Sequence, residues 1–194
     1  ELDGMFAANR ERLTFSAEPE SLNACDLVYV AVDVPTDDEG KSDLSPIEAM
    51  IETVTPHLND SAILVILCQV PPGFTRGRCL SDARLFYQVE TLIFGRAVER
   101  ATTPERFIIG CADPGEPLPQ SYGAFLEAFG CPLLPMRYES AELAKIAINC
   151  FLVASVSTTN TLAGLCERLG ADWSEIAPSL RLDARIGPKA YLNP

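Results

Sequence analysis

A lysine and an asparagine stand four residues apart in the apolar run ESAELAKIAINCFLVASVSTTN, Glu139 to Asn160, and Glu142 lies three residues before the lysine. On a helix Glu142, Lys145 and Asn149 share one face. Ala144, Ile146, Ala147, Ile148, Phe151, Leu152 and Val153 leave little of the remaining circumference for water. An ammonium and an amide in such surroundings need a partner or a ligand, and together they suit an anion. The plain alternative is that Glu142 neutralises Lys145 in a structural pair.

The whole chain carries 27 acidic and 15 basic residues, a formal net charge of -12 over 194 residues. That balance excludes a nucleic-acid groove, while a local lysine, arginine or helix N-terminus still allows an anionic ligand. No uninterrupted apolar stretch reaches the roughly twenty residues of a membrane span. The start, ELDGMFAANR, lacks a basic segment followed by an apolar signal run. A soluble, cytoplasmic chain without membrane partners is the expectation. The seven cysteines, at 25, 68, 79, 111, 131, 150 and 166, form no CxxC pair and read as reduced, buried side chains. The sole histidine, His57, follows Pro56 in a polar turn and reads as solvated, which argues against zinc and against histidine catalysis.

The elements that must position Lys145 alternate. ERLTFSA suggests a short edge strand, Asp26 to Val32 a buried strand, SPIEAMIETVTPHL a helix and Ser61 to Cys68 a second buried strand. Ser45, with Pro46 next and Glu48 three residues on, supplies a capping hydroxyl for that helix. Arg84 to Arg100 reads as helical, Glu105 to Cys111 as a strand, PQSYGAFLEAFG as a helix, and CPLLPM as a short run. The result is an α/β fold, a mostly parallel sheet covered by helices. A long helix from about Tyr138 to Leu169 then breaks the rhythm and stops at Gly170. Asp172 and Glu175 suggest a capping box for a short helix, DWSEIAPSL. The boundary between the α/β unit, 1–136, and the helical unit, 137–194, is placed near Met136.

Sheets of this kind bind ligands beyond the carboxyl ends of their strands. Two neighbouring exits are stiffened by proline, VAVDVPT at 30–36 and CQVPPG at 68–73, and Gly110 closes the third. Proline and glycine also simply end strands, but two rigid exits side by side favour a formed crevice.

At this point a resemblance is carried by VPT at 34–36 with Gly40 and Asp43, VPPG at 70–73, PERFIIG at 104–110, ESAELAKIAINCFL at 139–152, TNTLAGLCERLGAD at 159–172 and LDARIG at 182–187. In that order they resemble the nucleotide-sugar dehydrogenases of the UDP-glucose and GDP-mannose type. The resemblance implies NAD-dependent oxidation of a sugar C6 alcohol to a carboxylate by two hydride transfers. It also implies a Rossmann-like sheet portion followed by a long central helix at which homodimers pack. On it Pro35, Thr36, Gln69, Val70 and Pro71 lie along the cofactor, and Glu90 aligns with a glutamate doing acid or base work on a water. Lys145 and Asn149 align with the donors that stabilise the developing oxyanion, and Arg185 with an arginine reaching the nucleotide-sugar substrate across the dimer. Hydride loss from an alcohol builds negative charge on its oxygen, which a fixed ammonium and an amide donor offset. The segments before and after Met136 then correspond to the C-terminal part of an NAD-binding domain and to a central helical dimerisation domain.

The departures are equally specific. Cys68 and Gln69 stand where the family usually has Ser-Thr, and VETLIFG replaces its Pro-Glu-Phe-Leu motif, so that Phe94 takes the second acidic position. No GxGxxG occurs to cradle a pyrophosphate, and YLNP precedes the family position of the catalytic cysteine. These features suggest an internal portion of a longer enzyme that is inactive alone. They keep open a catalytically impaired dimeric nucleotide-sugar-binding protein. A ligand-free scaffold is a third reading, and it predicts Lys145 tied only to Glu142.

Overall fold

The computed structural model describes residues 2–78, 80 and 84–194. Cys79, one of the seven cysteines, lies outside them. The chain forms two compact units, Glu1–Lys145 and Ile146–Pro194.

The first unit is built on five strands in the order β1 (Leu27–Val30), β2 (Ile63–Ile66), β3 (Leu85–Gln88), β4 (Phe107–Cys111) and β5 (Leu133–Arg137). β1, β2 and β3 are mutually parallel, β4 runs antiparallel to β3, and β5 is parallel to β4. β2, ILVI, has a strand paired along each edge and is buried at every residue. One face carries a core of Ile63, Val65, Phe86, Ile109 and Cys111, sealed by Tyr122 and Leu126 of α4 (Gln120–Glu127). Between β1 and β2, α2 (Ser45–Val54) buries Ile47, Ile51 and Val54, the spacing of a single helical stripe. Two tyrosines, Tyr29 half-buried and Tyr122 fully buried, converge on one amide, each donating to Gln88 Oε1 at 2.9 Å. Burial pushes the Tyr29 hydroxyl up to about 12.

Three local expectations are corrected. ERLTFSA is not a strand: a 3-10 turn spans Arg10–Arg12 and the following residues are irregular and exposed. Leu13 and Phe15 have no strand beside them, and Phe15 instead meets Phe6, of α1 (Leu2–Asn9), at 6.4 Å between ring centroids. Arg84 to Arg100 is not a helix but β3, an open segment, and the short α3 (Ala97–Thr102). A strand buried on both faces loses its alternation and imitates a buried helix in sequence. Ser45 does not cap α2 through its hydroxyl. Asp43 Oδ1 accepts from Ser45 N–H at 3.0 Å and from Ser45 Oγ at 2.6 Å, which puts a carboxylate at the positive end of the helix.

The long helix is α5 (Tyr138–Leu169), followed by Gly170 at φ +71°. Asp172 caps α6 (Trp173–Leu182), its side chain accepting from Ser174 N–H at 2.8 Å. Within the second unit Thr159 Oγ1 donates to Tyr191 O at 2.6 Å and Trp173 Nε1 to Leu192 O at 2.9 Å, tying the final segment down. By length and composition alone, α5 is apolar enough to cross a membrane, although no uninterrupted run suggested it. Phe151, Val153, Leu165 and Leu169 are exposed along it.

The expectation of buried thiols holds for Cys68, Cys111 and Cys166. Cys25 and Cys131 are half-buried, and Cys150 is exposed. His57, in the 3-10 turn Thr55–His57, keeps 31% of its side chain exposed and lies 3.9 Å from Glu20.

Candidate functional site

The exits of β1, β2 and β3 open into one crevice of about 640 Å³ within the first unit. Its walls include Val32, Asp33, Val34 and Thr36 after β1, Cys68 and Gln69 after β2, Glu90 and Leu92 after β3, and Lys145 of α5. Parallel strands direct their carboxyl ends the same way, so three loops meet there without any one being long.

Lys145 does not pair with Glu142. Its Nζ donates to the Glu90 backbone oxygen at 2.7 Å and lies 3.5 Å from Glu90 Oε2. Only 16% of the lysine side chain is exposed, so the ammonium is held at the crevice by the β3 exit. Glu90 itself is fixed by the Leu92 backbone N–H, which donates to its Oε1. The pairing that the scaffold reading predicts, Lys145 tied only to Glu142, is not found.

Glu142 is fully buried, and its two oxygens are taken by the β2 exit: Gly73 N–H donates to Oε2 at 2.5 Å and Thr75 N–H to Oε1 at 2.8 Å. One turn earlier Glu139 receives both Arg76 Nε and Arg76 Nη2. These contacts escaped the sequence reading, and their only signal was the tight turn after VPPG, whose open backbone N–H groups need an acceptor.

Among the residues expected beside the cofactor, Thr36 and Gln69 line the crevice and are exposed. Pro35 lines an adjoining hollow with Asp37, Lys41 and Asp43, Val70 is buried, and Pro71 is exposed outside the crevice wall. Thr36 Oγ1 is 3.3 Å from Ser42 Oγ. Asp33 also faces the crevice, a carboxylate the motif VAVDVPT contained but that was not singled out. In the second unit Asn149 is exposed on α5, and Arg185 forms a two-pronged pair with Asp183 at 3.0 and 2.7 Å. Phe94, in the altered β3 exit, is fully exposed.

Cys68 is a fastener, not a nucleophile. Its thiol donates to Val30 O at 3.3 Å and accepts from Val32 N–H at 3.2 Å, joining the β1 and β2 exits. Burial pushes the thiol up, against the Val32 hydrogen bond, which keeps it protonated near neutrality. Among the described residues no group of three or more His, Cys, Asp and Glu side chains converges as a metal site would require.

The donor set fits one end of a dinucleotide. An exposed amide, Gln69, and an exposed hydroxyl, Thr36, share the crevice wall with Val32, Val34 and Leu67, the mix of polar and apolar groups that a carboxamide-bearing ring and its ribose need. A pyrophosphate cradle is not offered by these residues, since no glycine-rich strand-to-helix turn is present.

Residues 1–121 match the NAD binding domain of the UDP-glucose/GDP-mannose dehydrogenase family and residues 139–194 match that family's central domain. A UDP-glucose 6-dehydrogenase of Bacillus subtilis is 33% identical over 195 residues, covering 92% of this chain and 41% of the relative. Its counterpart in Pseudomonas aeruginosa is 35% identical over 191 residues, covering 91% of this chain and 42% of its own. Among solved structures, a UDP-glucose dehydrogenase from Pyrobaculum islandicum superposes with a TM-score of 0.79 at 30% identity, over 94% of this chain and 45% of that one. A GDP-mannose dehydrogenase from Pseudomonas aeruginosa gives 0.83 at 19% identity, over 100% and 48%, a likeness of fold. The chain thus spans less than half the length of these relatives.

Proposed function

We propose, from the premise that this chain belongs to the UDP-glucose/GDP-mannose dehydrogenase family, that the protein carrying it oxidises the C6 alcohol of a nucleotide sugar toward the uronic acid with NAD. The observation that carries this reading is Lys145, an ammonium held by Glu90 at the crevice where the β1, β2 and β3 exits meet. NAD, when bound, supplies a hydride acceptor. Thr36 and Gln69 hold its reactive end, with Pro35, Val70 and Pro71 stiffening the loops that carry them.

Lys145 lowers the cost of the negative charge that develops on the alcohol oxygen, and Asn149 adds a neutral donor from the next turn of α5. Glu90 keeps the ammonium aimed and orients a water for the later hydration step. Arg185 binds the diphosphate or sugar, in a form released from Asp183. The exposed apolar residues of α5 support a homodimer packed along that helix, and with it a cytoplasmic protein that keeps α5 out of a membrane. Residues 1–136 serve as the C-terminal part of the NAD-binding domain and 137–194 as the central dimerisation domain.

A second reading is favoured by two substitutions in the crevice loops: an amide, Gln69, where the family places a hydroxyl, and Phe94 where it places an acid. These suit a dimer that binds nucleotide sugar without completing the oxidation. The deciding experiment follows NADH formation by the whole protein that carries this chain, with UDP-glucose and GDP-mannose, for wild type and Lys145→Met. Turnover that falls about a hundredfold or more in the variant, with sugar-nucleotide binding kept, supports the dehydrogenase. Calorimetric binding of the nucleotide sugar with no NADH from the wild type supports the binder instead.

A further inference from the structure

We infer that Glu142 is a positioning residue: it holds the cofactor-facing loop after β2 in register with Lys145. This rests on the reading of the crevice as a dinucleotide and sugar site. The first two turns of α5 meet two exits through residues spaced by three. Glu139 takes Arg76, Glu142 takes the backbone of Gly73 and Thr75, and Lys145 takes Glu90. One rigid helix therefore sets the β2 exit, which presents Gln69, against the β3 exit, which holds the ammonium.

Glu142 is the central member because it is the buried one. Both of its oxygens are used as acceptors, and it has no exposure to solvent through which water might replace the lost bonds. Gly73 sits at φ +92°, and the turn's other ties, Phe74 N–H to Pro71 O at 3.1 Å and Arg78 Nε to Phe74 O at 3.2 Å, leave the N–H groups of Gly73 and Thr75 to Glu142. Packing alone does not explain a carboxylate here, since an apolar side chain of similar size would fill the space and leave the buried Thr75 N–H without an acceptor. Moving the turn moves Gln69 four residues upstream, so the consequence falls on cofactor affinity first.

The test compares wild type with Glu142→Gln, Glu142→Asp and Thr75→Val, each made in the whole protein that carries this chain. The last alters the same buried spot while sparing both hydrogen bonds, because Thr75 Oγ1 has no hydrogen-bond partner. Amide exchange without ligand reads the turn directly. Losing one bond to a charged acceptor speeds exchange at residues 73–76 by roughly ten- to a hundredfold in Glu142→Gln, with the sheet unchanged. The Kd for NAD, by fluorescence titration, rises about tenfold by the same conversion, the KM for nucleotide sugar stays near wild type, and Glu142→Asp recovers part of the affinity. Thr75→Val matches wild type in both readouts.

Glu142→Gln with wild-type exchange at 73–76, or with acceleration spread evenly over the whole sheet, overturns the inference. So does an unchanged NAD affinity in a variant whose turn has loosened. If Glu142→Gln does not fold, Glu142→Asp is read by the same criteria. Should the wild type bind no NAD, the dinucleotide reading fails, and the hold on the turn is still decided by the exchange data alone.

Discussion

Gly110→Ala is expected to destabilise the protein by about 2 kcal/mol, and the number follows from what surrounds a single added carbon. A Cβ on Gly110 meets Tyr87 Cβ at 2.9 Å, Ala141 Cβ at 3.1 Å and Tyr138 Cα at 3.2 Å. Carbon atoms rest at roughly 3.5–4.0 Å, so all three approaches are repulsive. None of the three is the far end of a flexible side chain: each moves only if β3 or the start of α5 moves. Overpacking of this kind costs about 1–3 kcal/mol, and the upper part applies because two elements must shift together. Stiffening the unfolded chain returns about 0.4–1 kcal/mol, which leaves about 2. For a chain of this length that lowers Tm by roughly 4–8 °C. Gly123→Ala is the control. It lies within α4, its new Cβ meets Leu118 Cβ at 3.8 Å, ordinary contact, and it gains about 0.5–1 kcal/mol of helix propensity. Urea and thermal unfolding of the two variants beside wild type measure both signs. A Gly110→Ala protein as stable as wild type, or a shared sign for the two substitutions, would refute the claim that β4 and α5 are in direct backbone contact here. Adding Ala141→Gly relieves one of the three contacts and recovers part of the loss at most, since Tyr87 remains.

Gly73→Ala isolates strain from crowding. Its φ of +92° is unfavourable to any L side chain while nothing lies within 4 Å of the added carbon, so a cost of about 1–2 kcal/mol in urea unfolding comes from the backbone alone. Thr75→Val should stabilise by about 1 kcal/mol in the same assay, because a buried hydroxyl without a partner carries a desolvation cost that an isosteric methyl does not. The Arg76 guanidinium beside Glu139 holds that carboxyl at about 2, against 4.5 ordinarily. Its stabilisation is therefore complete above about 4.5 and is lost as the pH falls toward 2, and with both side chains about 40% exposed salt screens it. Carboxyl NMR should find the Glu139 midpoint near 2 in wild type and back in the ordinary carboxylate range in Arg76→Met.

The long helix was legible from its length and its stop at Gly170, and the strands at 27–30, 63–66 and 107–111 because each is a short apolar run bounded by polar or turn-forming residues. The prolines of the first two exits marked the crevice for a similar reason: they restrict the chain locally, whatever it packs against. β3 was not legible. LFYQ is buried on both faces between β2 and β4, and with no polar residue alternating it matches a helix equally well. The error had a consequence beyond secondary structure. With 84–100 taken as helix, only the family resemblance set Glu90 apart as a site residue. With β3 in place, Glu90 lies two residues past the strand, at a third exit, and faces α5.

The partner of Lys145 shows why helical spacing misled. Glu142 and Lys145 are three apart on one helix, and in an isolated peptide they would pair. In the fold a fully buried carboxylate is available to whichever donors most need it. The buried Thr75 N–H has no water to fall back on, whereas a lysine on a long stem can reach elsewhere. Gly73 and Thr75 therefore take both oxygens of Glu142, and Lys145 turns to Glu90. The choice is made by the open valences of the 73–75 turn, 67 and more residues away in sequence from the acid that fills them. The same bonds that remove Glu142 from Lys145 leave the ammonium at the crevice, where a nearby carboxylate and carbonyl hold it but do not enclose it.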